Sequence, residues 1–369
     1  MPSSLTTAPA RIPLVQVFAD VPDPRDPRGV RHELAVVLTV AAAAVLAGAK
    51  TLLAVQEWVA DADRDALSQL GIDPEAVLPS EATIRRTLAR LDAQDLDCRI
   101  GAWMSTRVGR VGGRRVLAVD GKSMRGAAID GDRPHLLAAL DHDQQVVIGQ
   151  RAVPDKGSEI PELKVLLEPM DLTDIVVTAD ALHCQRDTAA WLSEHGADYA
   201  LTVKGNQPSL YDALKRLPWA KVPRHSYRDP GHGRKVTRIV KAVQIPDWID
   251  WPGAAQVLQV RRTRIIKGRK HVEVVYVICS VPMNQAAPAV VASWIQGHWL
   301  IENALHWVRD VTFDEDRHQL RIGAGPQVMA TLRNTAISIL RLAGWDSIAA
   351  GLRHHGRDRA RPIQLLVNA

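Results

Sequence analysis

Between Leu34 and about Arg110 the apolar positions recur at helical spacing. An alanine-rich run covers Leu34 to Ala49, a second segment covers Val55 to Asp65, and a third helix follows Ser80, a natural N-cap. On that third helix Ile84, Leu88 and Leu91 share one face, and Arg85, Arg86 and Arg90 lie opposite, either as a solvated basic face or as a surface that runs along a DNA groove or its phosphates. The period then changes. Val116 to Val119 is a short apolar run ending in Asp120, the signature of a buried strand that delivers a carboxylate at its end. Strand-like runs follow at His135 to Leu140 and Gln145 to Ala152, with Asp141-His142-Asp143 between them as a hairpin turn. A helix over Ile160 to Met170, entered through Gly157-Ser158-Glu159, leads to a second apolar strand that closes on Asp180. A helix over Gln185 to His195 precedes a fifth strand, Tyr199 to Val203, which ends in the turn-forming string Lys204-Gly205-Asn206-Gln207-Pro208.

Three strands, a helix, a strand, a helix and a strand in this order predict an α/β layer built on a mixed sheet. Short β-branched runs at Val236 to Val243, Gln256 to Arg262 and His271 to Val281 then predict a β-rich insertion. Helical texture returns from Ala287, and another helix covers Gln327 to Leu342. The ends are expected to be plainer: a proline- and charge-rich leader over residues 1–30, and a basic surface tail carrying Arg353, His354, His355, Arg357, Arg359 and Arg361. The expected organisation is a helical, DNA-binding segment (1–112), a first core part (113–208), the β-rich insertion (209–285), a second core part (286–345) and the tail (346–369).

Composition narrows the class without choosing a function. Hydrophobic residues at 46% and charged residues at 24% are those of an ordinary globular chain. A net charge of +5 is compatible with a surface that meets phosphate. Cys98, Cys184 and Cys279 show neither zinc spacing nor a disulfide framework, so they are expected as free thiols of a reducing cytoplasm. The Leu34 to Ala49 run is shorter than the roughly 20 residues needed to span a bilayer, and no secretory pattern opens the chain. A cytoplasmic protein without a membrane partner is therefore expected.

The chemistry lies in the acids. Two strands that each end in aspartate are adjacent if the sheet follows the usual connection rules, so Asp120 and Asp180 are expected to converge although they lie far apart in the chain, against the plainer role of each as a helix cap or turn former. Phosphodiester chemistry needs an activated nucleophile and a stabilised leaving oxygen, and two divalent ions about 4 Å apart supply both. Carboxylates are the hard oxygen ligands that Mg2+ prefers, with Mn2+ as a substitute. The third acid is expected from the string Gly297 to Trp307, where His298, Glu302 and His306 recur at four-residue spacing and Arg309 falls seven beyond the glutamate, on one helical stripe. Lys122 and Lys204 near strand ends are candidate phosphate contacts or ordinary surface lysines, and His298, Trp299, Asn303, His306 and Arg309 around Glu302 are candidate DNA contacts. His183 is a further candidate for a phosphate or a metal-bound water, against the plainer role of a hydrogen-bonded core histidine. Basic charge at Arg234, Lys235, Arg261, Arg262, Arg264, Lys267, Arg269 and Lys270 marks the insertion as a path for DNA or as charged hairpin edges. The acidic run Asp310, Asp314, Glu315 and Asp316 is expected to be a solvated turn.

Four ordered strings, Ala118-Val-Asp-Gly-Lys, Val177-Thr-Ala-Asp-Ala-Leu-His, Leu201-Thr-Val-Lys-Gly-Asn-Gln-Pro and His298-Trp-Leu-Ile-Glu-Asn-Ala-Leu-His-Trp-Val-Arg-Asp-Val-Thr-Phe, resemble bacterial insertion-sequence DDE transposases of the H-repeat-associated group. The resemblance runs from about Gln16 to Leu342. It implies an RNase H-like catalytic core with a β-rich insertion before the glutamate helix, and a helical DNA-binding module ahead of it. It further implies that Asp120 bridges two metals while Asp180 and Glu302 each ligate one. The implied reaction is cleavage at element ends, then attack of the freed 3′-hydroxyl on target DNA, by a homodimer on paired double-stranded ends. Where related transposases carry tyrosine, arginine and lysine around the glutamate, this chain has Ile295, His298 and Arg309. The rival readings are a nuclease of the same fold that never joins strands, and a domesticated DNA-binding protein that never cuts.

Overall fold

A computed structural model describes residues 12–108, 114–154, 159–229, 235–266 and 269–368. Thus Arg234, Lys267 and the Gly157-Ser158 helix entry lie outside the described residues, as does the side chain of Lys235.

Six helices come first: α1 (Leu14–Ala19), α2 (Leu34–Leu46), α3 (Leu52–Ala60), α4 (Arg64–Gln69), α5 (Glu81–Arg90) and α6 (Ala93–Ser105). The alanine-rich run is indeed the core helix α2, buried from Val37 through Leu46. Small side chains let its neighbours approach on every side, so it carries no polar face. Ser80 caps α5 by accepting from the Thr83 N–H, and Ile84 and Leu88 are fully buried beneath it. Truncating either to alanine would cost about 2–5 kcal/mol. The supposed leader is only partly an arm. Leu14 and Phe18, one helical turn apart, bury α1 against α2 and α6, so apolar spacing outweighs the prolines that follow.

The sheet has nine strands: β1 (Arg115–Ser123), β2 (His135–Asp141), β3 (Val147–Val153), β4 (Ile175–Ala179), β5 (Asp198–Val203), β6 (His225–Asp229), β7 (Lys235–Gln244), β8 (Gln256–Ile266) and β9 (Arg269–Cys279). Their spatial order is β3-β2-β1-β4-β5-β9-β8-β7-β6. The β1–β4 and β4–β5 pairs are parallel, while β1–β2, β2–β3 and every pair from β5 outward to β6 are antiparallel. The β-rich segment therefore continues the same sheet, joined where β9 pairs with β5. Between strands lie α7 (Glu159–Leu167), α8 (Arg186–Glu194) and α9 (Pro208–Lys215).

Side chains alternate across a strand, and the two faces bury different cores. Leu117, Val177, Tyr199 and Leu201 join the large core shared with the N-terminal helices. Val116, Val176 and Ala200 meet Val291 and Ala292 of α10 (Pro288–Leu300), which lies across β1, β4, β5 and β7. Beyond α10 come α11 (Gly325–Leu342), α12 (Ile348–His355) and α13 (Ala360–Asn368). The C-terminal stretch is thus not a loose basic tail. Ile348, Leu352, Ile363 and Leu366 are buried, α12 packs on α11, and α13 packs on α1, α2 and α4; of the basic side chains Arg353, His354 and Arg357 are exposed, Arg359 and Arg361 are half-buried, and His355 is buried.

Candidate active site

Strand parity decides which residues face α10. Val116 and Asp120 are four apart on β1, and Val176 and Asp180 are four apart through the end of β4, so both acids emerge on the α10 side. Val119 pairs with Ala179 in parallel register, which puts the two aspartates side by side at adjacent carboxyl ends. Thr202 and Lys204 follow Ala200 with the same parity at the end of β5.

Glu302 arrives from above. After Leu300 the helix leaves α geometry for two π-helical stretches, Ile301–His306 and Val308–Thr312. Bonds from i to i+5 place more residues in each turn, and such bulges gather at functional sites. The three acids line one cavity of about 280 Å³ with Lys204, Arg238, Arg262, His298 and Trp299. Arg238, Arg262 and Glu273 form a lateral row on β7, β8 and β9, since Arg238 pairs with Arg262 and Arg262 with Glu273. The extended sheet therefore supplies the cationic wall of the acidic cavity. Sequence reading placed Arg262 only in a basic cluster and missed Arg238, because the pairing that brings them here is long-range.

His306 is 4% exposed, and its Nδ1 lies 3.3 Å from Glu302 Oε2 and 3.5 Å from Asp120 Oδ2. Ligand atoms of Asp120, Glu302 and His306 lie within 4.8 Å of one another, a spacing that would hold a cation. Asp180 sits at the rim, and its Oδ1 accepts from the Leu182 N–H at 2.9 Å. Burial pushes Asp120 above the ordinary carboxylate range; His306 and the Gly121 N–H oppose that rise, while Asp180 and Glu302 add to it. Glu302 is held below its ordinary value, chiefly by the His306 hydrogen bond. Burial and two neighbouring acids both disfavour a charged Asp120, and a cation bound between these carboxylates would reverse that balance.

The remaining candidates divide. Lys204 is exposed at the cavity, and Trp299 is 58% exposed beside it. His298 lines the cavity with its Nδ1 3.4 Å from Thr178 Oγ1, and burial lowers its pKa to about 4 despite the pull of Asp180, so it is neutral at pH 7. Asn303 is exposed on the outer side of the helix and donates to the Trp299 carbonyl. Arg85, Arg86 and Arg90 stay on α5 outside this cavity; Arg85 pairs with Glu81, and Arg86 donates to the Ala82 carbonyl.

The structure corrects the expectations for Lys122, Arg309 and the acidic run, and decides between the two readings of His183. Lys122 is 8% exposed and its Nζ lies 2.5 Å from Asp310 Oδ1, so this ammonium ties β1 to the glutamate-bearing segment and is not open to a phosphate. Arg309 is fully buried, bonded to Glu315, because π winding rotates a residue seven positions on away from the face of Glu302. His183 is 1% exposed with its Nε2 3.6 Å from Glu159, and so takes the core role. The acidic run is not a solvated turn either: Glu315 is buried between Arg309 and Arg333, and Asp310 holds Lys122.

Behind β1 lies a compact cluster. His135 Nε2 is 2.6 Å from Glu159 Oε1, and a Cβ on Gly121 would collide with both side chains, so any larger residue beside Asp120 must push this pair aside. Burial favours the neutral form of Glu159, but hydrogen bonds from His135 and His183 prevail and hold it at about 2.

Comparison with known proteins places these features in a family. A family model described as Transposase DDE domain matches residues 111–339, and one described as DDE_Tnp_1-associated matches residues 15–104. The chain belongs to the DDE transposase family, in its H repeat-associated group. It is 30% identical over 349 residues to YncI of Escherichia coli O157:H7, covering 89% of this chain and 87% of that one. It is 29% identical over 366 residues to the H repeat-associated protein YhhI of Escherichia coli strain K12, covering 94% of each. Both relatives carry transposase in their names. A solved synaptic complex of piggyBac transposase with hairpin DNA aligns over 96% of this chain and 79% of that one, at 11% identity and a TM-score of 0.43.

Proposed function

We propose that this DDE transposase cuts double-stranded DNA at insertion-sequence ends and joins the freed 3′-hydroxyl to target DNA, with Asp120, Asp180 and Glu302 holding two Mg2+ ions. The observation that carries the reading is the convergence of three carboxylates, from β1, from the end of β4 and from the π-helical segment, on one cavity walled by Lys204, Arg238 and Arg262. The donors fit the metal: hard oxygens around a partly enclosed space, with Asp120 between the other two acids in its electrostatics. The order β3-β2-β1-β4-β5, with β2 antiparallel and β4 and β5 parallel to β1, supports an RNase H-like core extended by β6–β9.

Bound there, the ions would activate the attacking oxygen and stabilise the leaving one. The chain's own residues do the rest. His306 spaces Glu302 from Asp120, and the Lys122–Asp310 pair fixes the helix over β1. Lys204, Arg238 and Arg262 offer charge to the phosphates on either side of the scissile bond. His298, neutral at pH 7, hydrogen-bonds Thr178 and does not compete with metal for the acids. A homodimer acting on paired ends is part of the proposal, as is a DNA-contacting role for the helical residues 12–108.

The test is incubation of the protein and its Asp120→Asn variant with DNA that carries the flanks of its gene, with and without Mg2+. Metal-dependent cutting and joining by the native protein alone is expected. Cutting without joining would leave a nuclease, and equal binding without cutting in both proteins would leave a non-catalytic DNA binder.

A further inference from the structure

On the far side of the glutamate-bearing segment lies a second, larger concavity. It encloses about 880 Å³ between residues 303–312, the end of α2 and α12. Trp307 and Val311 stand on its floor at 55% and 54% exposure, and Asn303 joins it to the helix turn that holds Glu302. Lys50, Arg353 and Arg357 are exposed around it; among the described residues neither arginine side chain has a hydrogen bond or ion pair. Arg341 also lines it but is engaged by the carbonyls of Trp345 and Asp346, and Asp346 is the one acid in the lining.

We propose that this groove takes an unpaired DNA strand leaving the catalytic cavity. The inference rests on the transposase reading and adds to it a path for one strand. Three free cations against one acid complement a phosphate backbone, and an exposed indole between them offers a stacking surface that any base can use. A duplex is a broad convex cylinder whose bases are already stacked, so a concave trough with a ring on its floor suits a single strand better. The groove and the acids share one helical segment: Glu302 lines the cavity, while Asn303 and Trp307, one and five residues on, line the trough. One wall is α12, which begins at Ile348, beyond residue 339 where the family match ends, while the opposite wall, residues 303–312, lies within the match.

The experiment compares a fluorescein-labelled blunt duplex of the gene-flanking sequence with the same duplex bearing a protruding thymidine strand, by anisotropy over a salt series. The native protein is expected to prefer the protruding strand. In the Arg353→Gln/Arg357→Gln double variant that preference should collapse, and the log–log salt slope for the protruding probe should become shallower by about 0.7 per arginine. Both side chains are exposed and unbonded, so the variant is expected to unfold at the native temperature. Trp307→Ala should weaken the protruding probe on the order of tenfold with the salt slope unchanged. A double variant that cuts ends and binds the protruding strand as the native protein does would overturn the groove and leave the transposase reading standing. Displacement by polyglutamate without any preference for the protruding strand would assign the groove to an acidic polypeptide and overturn it too. A native protein that binds neither probe would sink both readings.

Discussion

Glu315 and Arg309 give the sharpest test of how the glutamate-bearing helix is held. Glu315 is 2% exposed and accepts from Arg309 at 2.8–3.1 Å and from Arg333 Nη1 at 2.9 Å; both arginines are equally enclosed. The cluster carries two positive charges and one negative. Replacing Glu315 with Gln leaves two guanidiniums buried together without their counter-ion, and breaking a buried pair in this way costs about 3–5 kcal/mol. Replacing Arg309 with Met has a different consequence, since Glu315 and Arg333 remain as a balanced pair. The loss is then the charge-assisted hydrogen bonds, worth about 1.5–3 kcal/mol, partly offset by the apolar side chain that fills the space. Urea unfolding followed by circular dichroism should therefore rank Glu315→Gln below Arg309→Met, with both below the native protein. Burial raises the pKa of Glu315, but Arg309 and Arg333 prevail and hold it at about 2, below its ordinary 4.5. Its contribution to stability is thus full above pH 4.5 and fades as pH falls toward 2, a loss that Glu315→Gln should not show. If Arg309→Met unfolded like the native protein while its DNA-binding salt slope became shallower by about 0.9, the guanidinium would be a phosphate contact and the buried cluster would be refuted.

Asp97 should act in the opposite sense: burial raises its pKa to about 7 from 3.8, so folding stability falls as pH rises from about 4 to 7, and Asp97→Asn should flatten that slope in unfolding titrations. Mg2+ should raise the melting temperature of the native protein with the logarithm of its concentration above Kd and fail to do so for Glu302→Gln, which can be read without any DNA. Removing the imidazole with His306→Ala should weaken Mg2+ affinity by about 10–100-fold in a calorimetric titration while the fold persists; unchanged affinity would remove His306 from the metal site. Gly121→Ala would force the His135–Glu159 contact apart and should lower both expression and melting temperature, whereas Gly131→Ala, with nothing near its Cβ, should be limited to the strain of its positive φ.

The acids were legible because a strand has a period of two and a buried strand has few ways to end. Val116 to Val119 and Ile175 to Ala179 are too short and too apolar to be anything but interior strands, and the aspartate that follows each must leave the sheet at its carboxyl edge. The same parity that sends Val116 and Val176 toward α10 sends Asp120, Asp180 and Lys204 there, so convergence follows from counting residues once the strands are adjacent. What stayed hidden depends on partners distant in sequence. Nothing local announces that β9 pairs with β5, yet that pairing swings Arg238 and Arg262 over the acids. In the C-terminal helices the buried Ile348, Leu352, Ile363 and Leu366 keep helical spacing, but arginine and histidine between them mask it in composition. The π-helical turn is the instructive failure. A stripe drawn at 3.6 residues per turn puts Arg309 beside Glu302, and the stripe holds for His306, one turn away, before π winding carries Arg309 into the core. Glu302 lies 57% exposed on a helix whose next turns are locked from beneath by Arg309–Glu315–Arg333 and from the side by Lys122–Asp310. The cations that read as DNA contacts, Lys122 and Arg309, are thus spent inside the protein, where they fix the segment that carries Glu302.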